Sequence, residues 1–136
     1  MTSTPAVSGR PRVLLVDDND AMLAHARAVL APACVVVGTA TAGPSAIRVA
    51  RALLPDVIVL DISMPDMTGF EVAASLRQAG STAAIIVLTV HSEEDRVVTA
   101  RAAGITSYVV KPRPVLDLVH AVAETHAGRE FVSPLR

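Results

Sequence analysis

Five short runs rich in valine and isoleucine recur along this chain, at residues 12–17, 34–39, 56–61, 84–89 and 107–110. They are nearly continuous and lack the in/out alternation of a half-exposed strand. Strands covered on both faces, as in a parallel sheet, read this way. The stretches between them carry helical spacing. Met22, Ala26, Val29 and Leu30 fall on one face, as do Ile47, Ala50, Leu53 and Leu54. Phe70, Ala73 and Leu76 make a third stripe, Val97 and Ala100 a fourth, and Val115, Leu118, Val119 and Val122 a fifth.

The punctuation agrees. Pro44 and Pro114 sit where a helix begins, Ser92 and Asp95 have capping-box spacing, and Asp20 is a candidate cap. Gly80, Gly104 and Gly128 sit where helices stop, in the left-handed position that glycine fills without strain. Five strands alternating with five helices predict a doubly wound α/β domain. Such folds bind ligands beyond the carboxyl ends of their strands, so the chemistry is expected there.

The chain has 136 residues, the size of one compact domain. Aromatics make up only 2% against 51% hydrophobic residues, so the core is expected to be aliphatic. A net charge of −1 argues against a nucleic-acid footprint for this domain. Cys34, the one cysteine, sits in an apolar run and suits a reducing compartment. Residues 1–11 are small and polar, unlike a signal peptide, and read as a disordered leader. The domain itself is expected over residues 12–128, with 129–136 as a tail or the start of a linker. No apolar run has bilayer-spanning length, and a cytoplasmic location without membrane contact is expected.

At the predicted strand ends stand Asp17 and Asp18, then Asp61, then Thr89, with Lys111 just past the fifth strand. Carboxylates gathered on one edge repel each other unless a cation lies between them. A hard divalent ion, Mg²⁺ or Mn²⁺, is the natural neutraliser, since it accepts a few carboxylates and keeps sites for water and phosphate oxygens. A carboxylate is also a competent nucleophile toward a phosphoryl group, with Lys111 and Thr89 available for the remaining equatorial oxygens.

The set Asp17-Asp18, Leu60-Asp61-Ile62-Ser63-Met64-Pro65, Leu88-Thr89, Tyr108 and Lys111-Pro112 resembles the response-regulator receiver family, over residues 12–128. The resemblance implies a flavodoxin-like (βα)5 three-layer sandwich with strand order 2-1-3-4-5. It implies Asp61 as phosphoacceptor, Asp18 as a direct Mg²⁺ ligand, Asp17 as a ligand through water, and the backbone carbonyl of Ser63 completing the protein's share. Thr89 and Tyr108 would form the switch pair, although Tyr108 reads equally well as a half-buried strand aromatic. Ser63 and His91 would flank the site and tune dephosphorylation, and Lys111-Pro112 would be compatible with a cis bond. His25, His91, His120 and His126 show no metal-ligand spacing.

The implied partners are a sensor histidine kinase and a downstream protein or covalently linked output domain, with a homodimer on phosphorylation left open. The domain would be a signalling switch rather than an enzyme, catalysing only its own phosphorylation and dephosphorylation. Three other readings stand beside this one. The tail Ala127-Gly128-Arg129-Glu130-Phe131-Val132-Ser133-Pro134 resembles receivers that precede a LuxR-type DNA-binding domain, whereas Lys111-Pro112-Arg113-Pro114 is less usual there. Asp18-Asn19-Asp20 superficially matches the nucleophile motif of haloacid-dehalogenase-type phosphatases, which leaves the stretch from Asp61 to Pro65 without a role. A receiver fold that only docks partners is disfavoured because every site residue is present.

Overall fold

The computed structural model describes residues 10–61, 69–89, 107–110 and 114–128. Five strands, β1 (Arg12–Val16), β2 (Val35–Ala40), β3 (Val57–Asp61), β4 (Ala84–Thr89) and β5 (Ser107–Val110), form one sheet in the order β2-β1-β3-β4-β5. All neighbouring pairs run parallel. Among the described residues four helices accompany it: α1 (Asp20–Leu30), α2 (Gly43–Leu53), α3 (Gly69–Gln78) and α4 (Pro114–His126). The stripe at Val97 and Ala100, the capping box at Ser92 and the helix stop at Gly104 lie outside the described residues.

Side chains alternate across a strand, and that period of two splits the core into two layers. Leu14, Val16, Ile58, Leu60, Ile85 and Val87 face Ala46 and Ala50 of α2 and Val72, Ala73 and Leu76 of α3. Val13, Leu15, Val57, Val59, Ile86 and Leu88 face Leu23, Ala26 and Leu30 of α1 and Leu118, Ala121 and Val122 of α4. This is the expected three-layer sandwich.

Three local expectations need correction. The run at 34–39 is not covered on both faces: β2 is the sheet's edge, and Val35 remains 39% exposed. Its pairing with β1 jumps from Val13↔Val36 to Leu14↔Gly38, so Val37 is left out of the ladder. Such a bulge blunts an edge that could otherwise recruit another strand. Beyond the bulge, a Cβ on Gly38 would lie 2.9 Å from Leu53 Cδ1, which shows how tightly α2 packs on β2 there.

Leu54 also leaves its predicted stripe. It caps α2 in the left-handed region, φ 50°, with 72% of its surface exposed. Pro55 ends the helix here, because a residue before proline is disfavoured in the right-handed helical region, and the Leu54 N–H still donates to Ala50 O at 2.9 Å. The Arg12 guanidinium holds the cap by donating to Leu53 O (2.9 Å) and Leu54 O (2.8 Å).

Asn19, not Asp20, caps α1, its side-chain oxygen accepting the Met22 N–H at 3.0 Å. Asp20 instead occupies the first turn, where its charge complements the positive end of the helix dipole. Asn19→Ala is expected to cost about 1 kcal/mol in urea unfolding. The predicted glycine stops hold where described. Gly80 (φ 90°) closes α3 in a Schellman motif, with Ser81 N–H to Leu76 O and Gly80 N–H to Arg77 O, and Gly128 (φ 88°) ends α4.

Cys34 is buried between α1 and β2, and burial pushes its thiol pKa above the ordinary value, with the Arg10 guanidinium opposing. A raised folded-state pKa means the native state prefers the neutral thiol. The associated stability is complete below the ordinary thiol pKa of about 8.5 and is lost as pH rises through the folded value. Two outcomes are expected: Ellman's reagent labels Cys34 at pH 8 only upon unfolding, and Cys34→Ala flattens the alkaline decline in stability seen in urea titrations.

Candidate phosphoacceptor site

The strand ends meet on one edge because the register aligns them. Val16 pairs with Leu60, so Asp17 and Asp61 follow as neighbours at the carboxyl ends of β1 and β3. Asp61 pairs with Leu88, which puts Thr89 one residue further along β4. Thr89 in turn pairs with Val110, the last residue of β5. The backbone therefore brings Asp17, Asp61, Thr89 and the end of β5 to one rim, as expected from the strand-end rule. Tyr108 pairs with Val87, two residues before that end.

Asp17 and Asp61 are 2% and 4% exposed, while Asp18 is open to solvent. One carboxylate oxygen from each of the three lies within 4.8 Å of the others. The Asp17 backbone N–H donates to Ala40 O of β2 at 3.0 Å, fixing the turn after β1. Asp17 Oδ1 accepts the Asn19 N–H at 2.9 Å, and Asn19 caps α1. A short chain of hydrogen bonds thus ties the acidic cluster to the start of a packed helix. Asn19 is the functional neighbour that sequence reasoning passed over, although an asparagine immediately before a helical stripe carries a capping signal.

The donor set fits a small hard dication. Three clustered carboxylates, two of them buried, supply oxygen ligands of the preferred type, and exposed Asp18 leaves a side open for water and phosphate oxygens. Ser63, His91 and Lys111, together with the Lys111–Pro112 bond, lie outside the described residues. Among the described residues no helix is long and apolar enough to cross a membrane.

The comparisons with known proteins concur. The sequence profile of the response regulator receiver domain matches residues 13–123. The nitrate/nitrite response regulator protein NarL of Escherichia coli K12 is 35% identical over 123 residues, 89% of this chain and 57% of its own length. The transcriptional regulatory protein PrrA of Mycobacterium tuberculosis is 39% identical over 112 residues, 82% of this chain and 48% of its own. The chain thus spans about half the length of the curated relatives it matches. Among solved structures, a LuxR-family two-component response regulator from Aurantimonas sp. SI85-9A1 superposes with a TM-score of 0.87 at 31% identity, covering 92% of this chain and 91% of that one. The receiver domain of the response regulator NarL from Mycobacterium tuberculosis gives 0.83 at 30%, covering 88% and 98%. With its sheet order, its acidic rim and its sequence in agreement, the chain belongs to the response regulator receiver domain family, a family of signalling proteins, and is similar to the receivers of LuxR-type regulators.

Proposed function

We propose that this domain is a phosphate-operated switch in which Asp61 accepts a phosphoryl group from the phosphohistidine of a sensor kinase. The observation that carries this reading is the nearly buried Asp61 carboxylate at the end of the central strand, grouped with Asp17 and Asp18 within 4.8 Å. An Asp61 oxygen attacks phosphorus, the P–N bond breaks, and the imidazole leaves as the neutral base after taking a proton. The product is an acyl phosphate. Asp18 and Asp61, with Asp17 behind a water and the Ser63 carbonyl, would be the residues that hold Mg²⁺. When bound, the ion supplies charge neutralisation at the phosphoryl oxygens.

In this reading Lys111 and Thr89 take the remaining oxygens. Movement of Thr89 toward the phosphate frees space for Tyr108, and the phosphate shifts the balance between two states according to its preference for one of them. Ser63 and His91 border the path of the hydrolytic water. The proposed organisation is a leader over 1–11, a receiver over 12–128, and a tail or the start of a linker over 129–136. The likeness to NarL and to LuxR-family structures supports a DNA-binding output domain in the parent protein; a cytoplasmic location and a homodimer on phosphorylation belong to the same proposal.

The haloacid-dehalogenase alternative loses its motif. Asn19 and Asp20 are the cap and first residue of α1, and the family match spans residues 13–123. The deciding experiment is incubation with acetyl phosphate and Mg²⁺ followed by intact mass. A single phosphate-sized gain that chelator prevents is expected. Steady hydrolysis of a phosphate ester without a mass gain would favour the phosphatase instead.

A further inference from the structure

The rim opposite the acidic cluster carries a groove of about 430 Å³, between the carboxyl ends of α2 and α3. Its walls include Arg51, Leu54, Pro55, Asp56, Ala79 and Ala83. That volume falls within the range of about 300–1,000 Å³ typical of built binding sites. Leu54 is the most exposed large apolar side chain among the described residues, and it is held there in a left-handed conformation that a bulky residue adopts only at a cost. An apolar side chain fixed in place at a groove's edge gains most by being covered.

The chain itself passes this point. Helix α4 ends with His126, whose Nε2 lies 3.9 Å from Asp56 Oδ2, on the groove's wall. Gly128 then turns the backbone with φ 88°. The eight residues that follow read Arg-Glu-Phe-Val-Ser-Pro-Leu-Arg. Phe131, three residues past Gly128, has a reach of about 10 Å from it. Its apolar neighbours Val132 and Leu135 suit Leu54, Pro55, Ala79 and Ala83, and Arg129 follows directly on the turn that leaves α4 beside the Asp56 carboxylate. The ends of two helices, each with partial negative charge, converge on the same groove and favour a cationic group such as the Arg129 guanidinium.

We infer that residues 129–135 dock in this groove, Phe131 against Leu54 and Arg129 beside Asp56, so that the path leaving the receiver is anchored on the rim opposite the acidic cluster. The anchor gives the switch a fixed lever: whatever follows the segment starts from a defined position on the receiver rather than from a free tether. This inference does not rest on the acceptor reading, and failure of the phosphorylation test leaves it standing.

The test is nuclear Overhauser spectroscopy on the full isotope-labelled chain, in which Phe131 is one of only two phenylalanines and there is no tryptophan. Cross-peaks from the Phe131 ring to the Leu54 methyls and the Ala79 and Ala83 methyls are expected. Leu54→Gly, which suits the positive φ and should fold, removes the first set and leaves the alanine contacts. Phe131→Ser shifts the alanine methyl resonances as the ring current disappears. Absence of these cross-peaks in the full chain overturns the inference. So does their appearance only between differently labelled molecules in a mixed sample, which would make a second copy the occupant.

Discussion

Asp61→Asn is expected to abolish the phosphate-sized mass gain from acetyl phosphate completely, with the fold intact. Asparagine preserves the shape of the side chain at the end of β3, where Asp61 is nearly buried. It removes the anionic oxygen that attacks phosphorus, and an amide has no comparable nucleophile. The same change takes one negative charge out of a group of three whose oxygens lie within 4.8 Å. Repulsion in the metal-free protein therefore falls, and thermal unfolding without Mg²⁺ should not occur at a lower temperature than in wild type. Mg²⁺ should stabilise wild type more than the variant, because ligand binding raises stability with its affinity for the folded state. Retained phosphorylation in the folded variant would remove Asp61 from the acceptor role, and another carboxylate on the rim would have to be sought.

The largest loss of stability is expected from Leu60→Ala. Leu60 precedes Asp61 on the central strand and is fully buried against Leu14, Val16, Ala46 and Ala50. Truncating such a leucine removes its transfer free energy and leaves a cavity, costing about 2–5 kcal/mol. That is a large share of the roughly 5–15 kcal/mol that holds a domain together. Urea unfolding measures it directly. Leu54→Ala is the matched contrast, the same chemical change at a side chain outside the core, and a loss well below that at Leu60 is expected. Similar losses at both positions would mean that burial does not rank these leucines.

The position of Leu60 beside Asp61 also shows what packs the strand that carries Asp61. Hydrophobic residues of β3 are clamped from both sides by helices, so the carboxylate at its end has little freedom. On β1 the same job is done by hydrogen bonds, Asp17 to Asn19 and Asn19 to α1. Pre-set geometry of this kind suits the proposed phosphoryl acceptor, since it limits reorganisation as charge develops.

Much of this was legible in the residues alone. Val/Ile runs at regular intervals identified the five strands to within a residue at each end, because a strand covered on both faces has no polar positions to interrupt it. Glycines and prolines marked the helix ends for equally local reasons: Gly80 and Gly128 accept positive φ, and Pro44 and Pro114 lack an N–H that the first turn leaves unused. The strand-end rule located the three aspartates, since carboxyl ends of parallel strands share one rim whatever their order.

What only the tertiary structure decided is everything that depends on which strand neighbours which. Residues 34–39 look as buried as 56–61 by composition, yet β2 lies at the edge and β3 in the middle, so Val35 is exposed where Val57 is not. The omission of Val37 from the ladder follows from pairing with β1 and from α2 pressing on Gly38. Leu54 fits a helical stripe by spacing, and it is Pro55, with Arg12 reaching across from β1, that turns it outward. Separation along the chain says nothing about the 4.8 Å that gathers Asp17, Asp18 and Asp61. Register across the β1–β3 pair brings them together, and register is a property of packed neighbours rather than of any one segment.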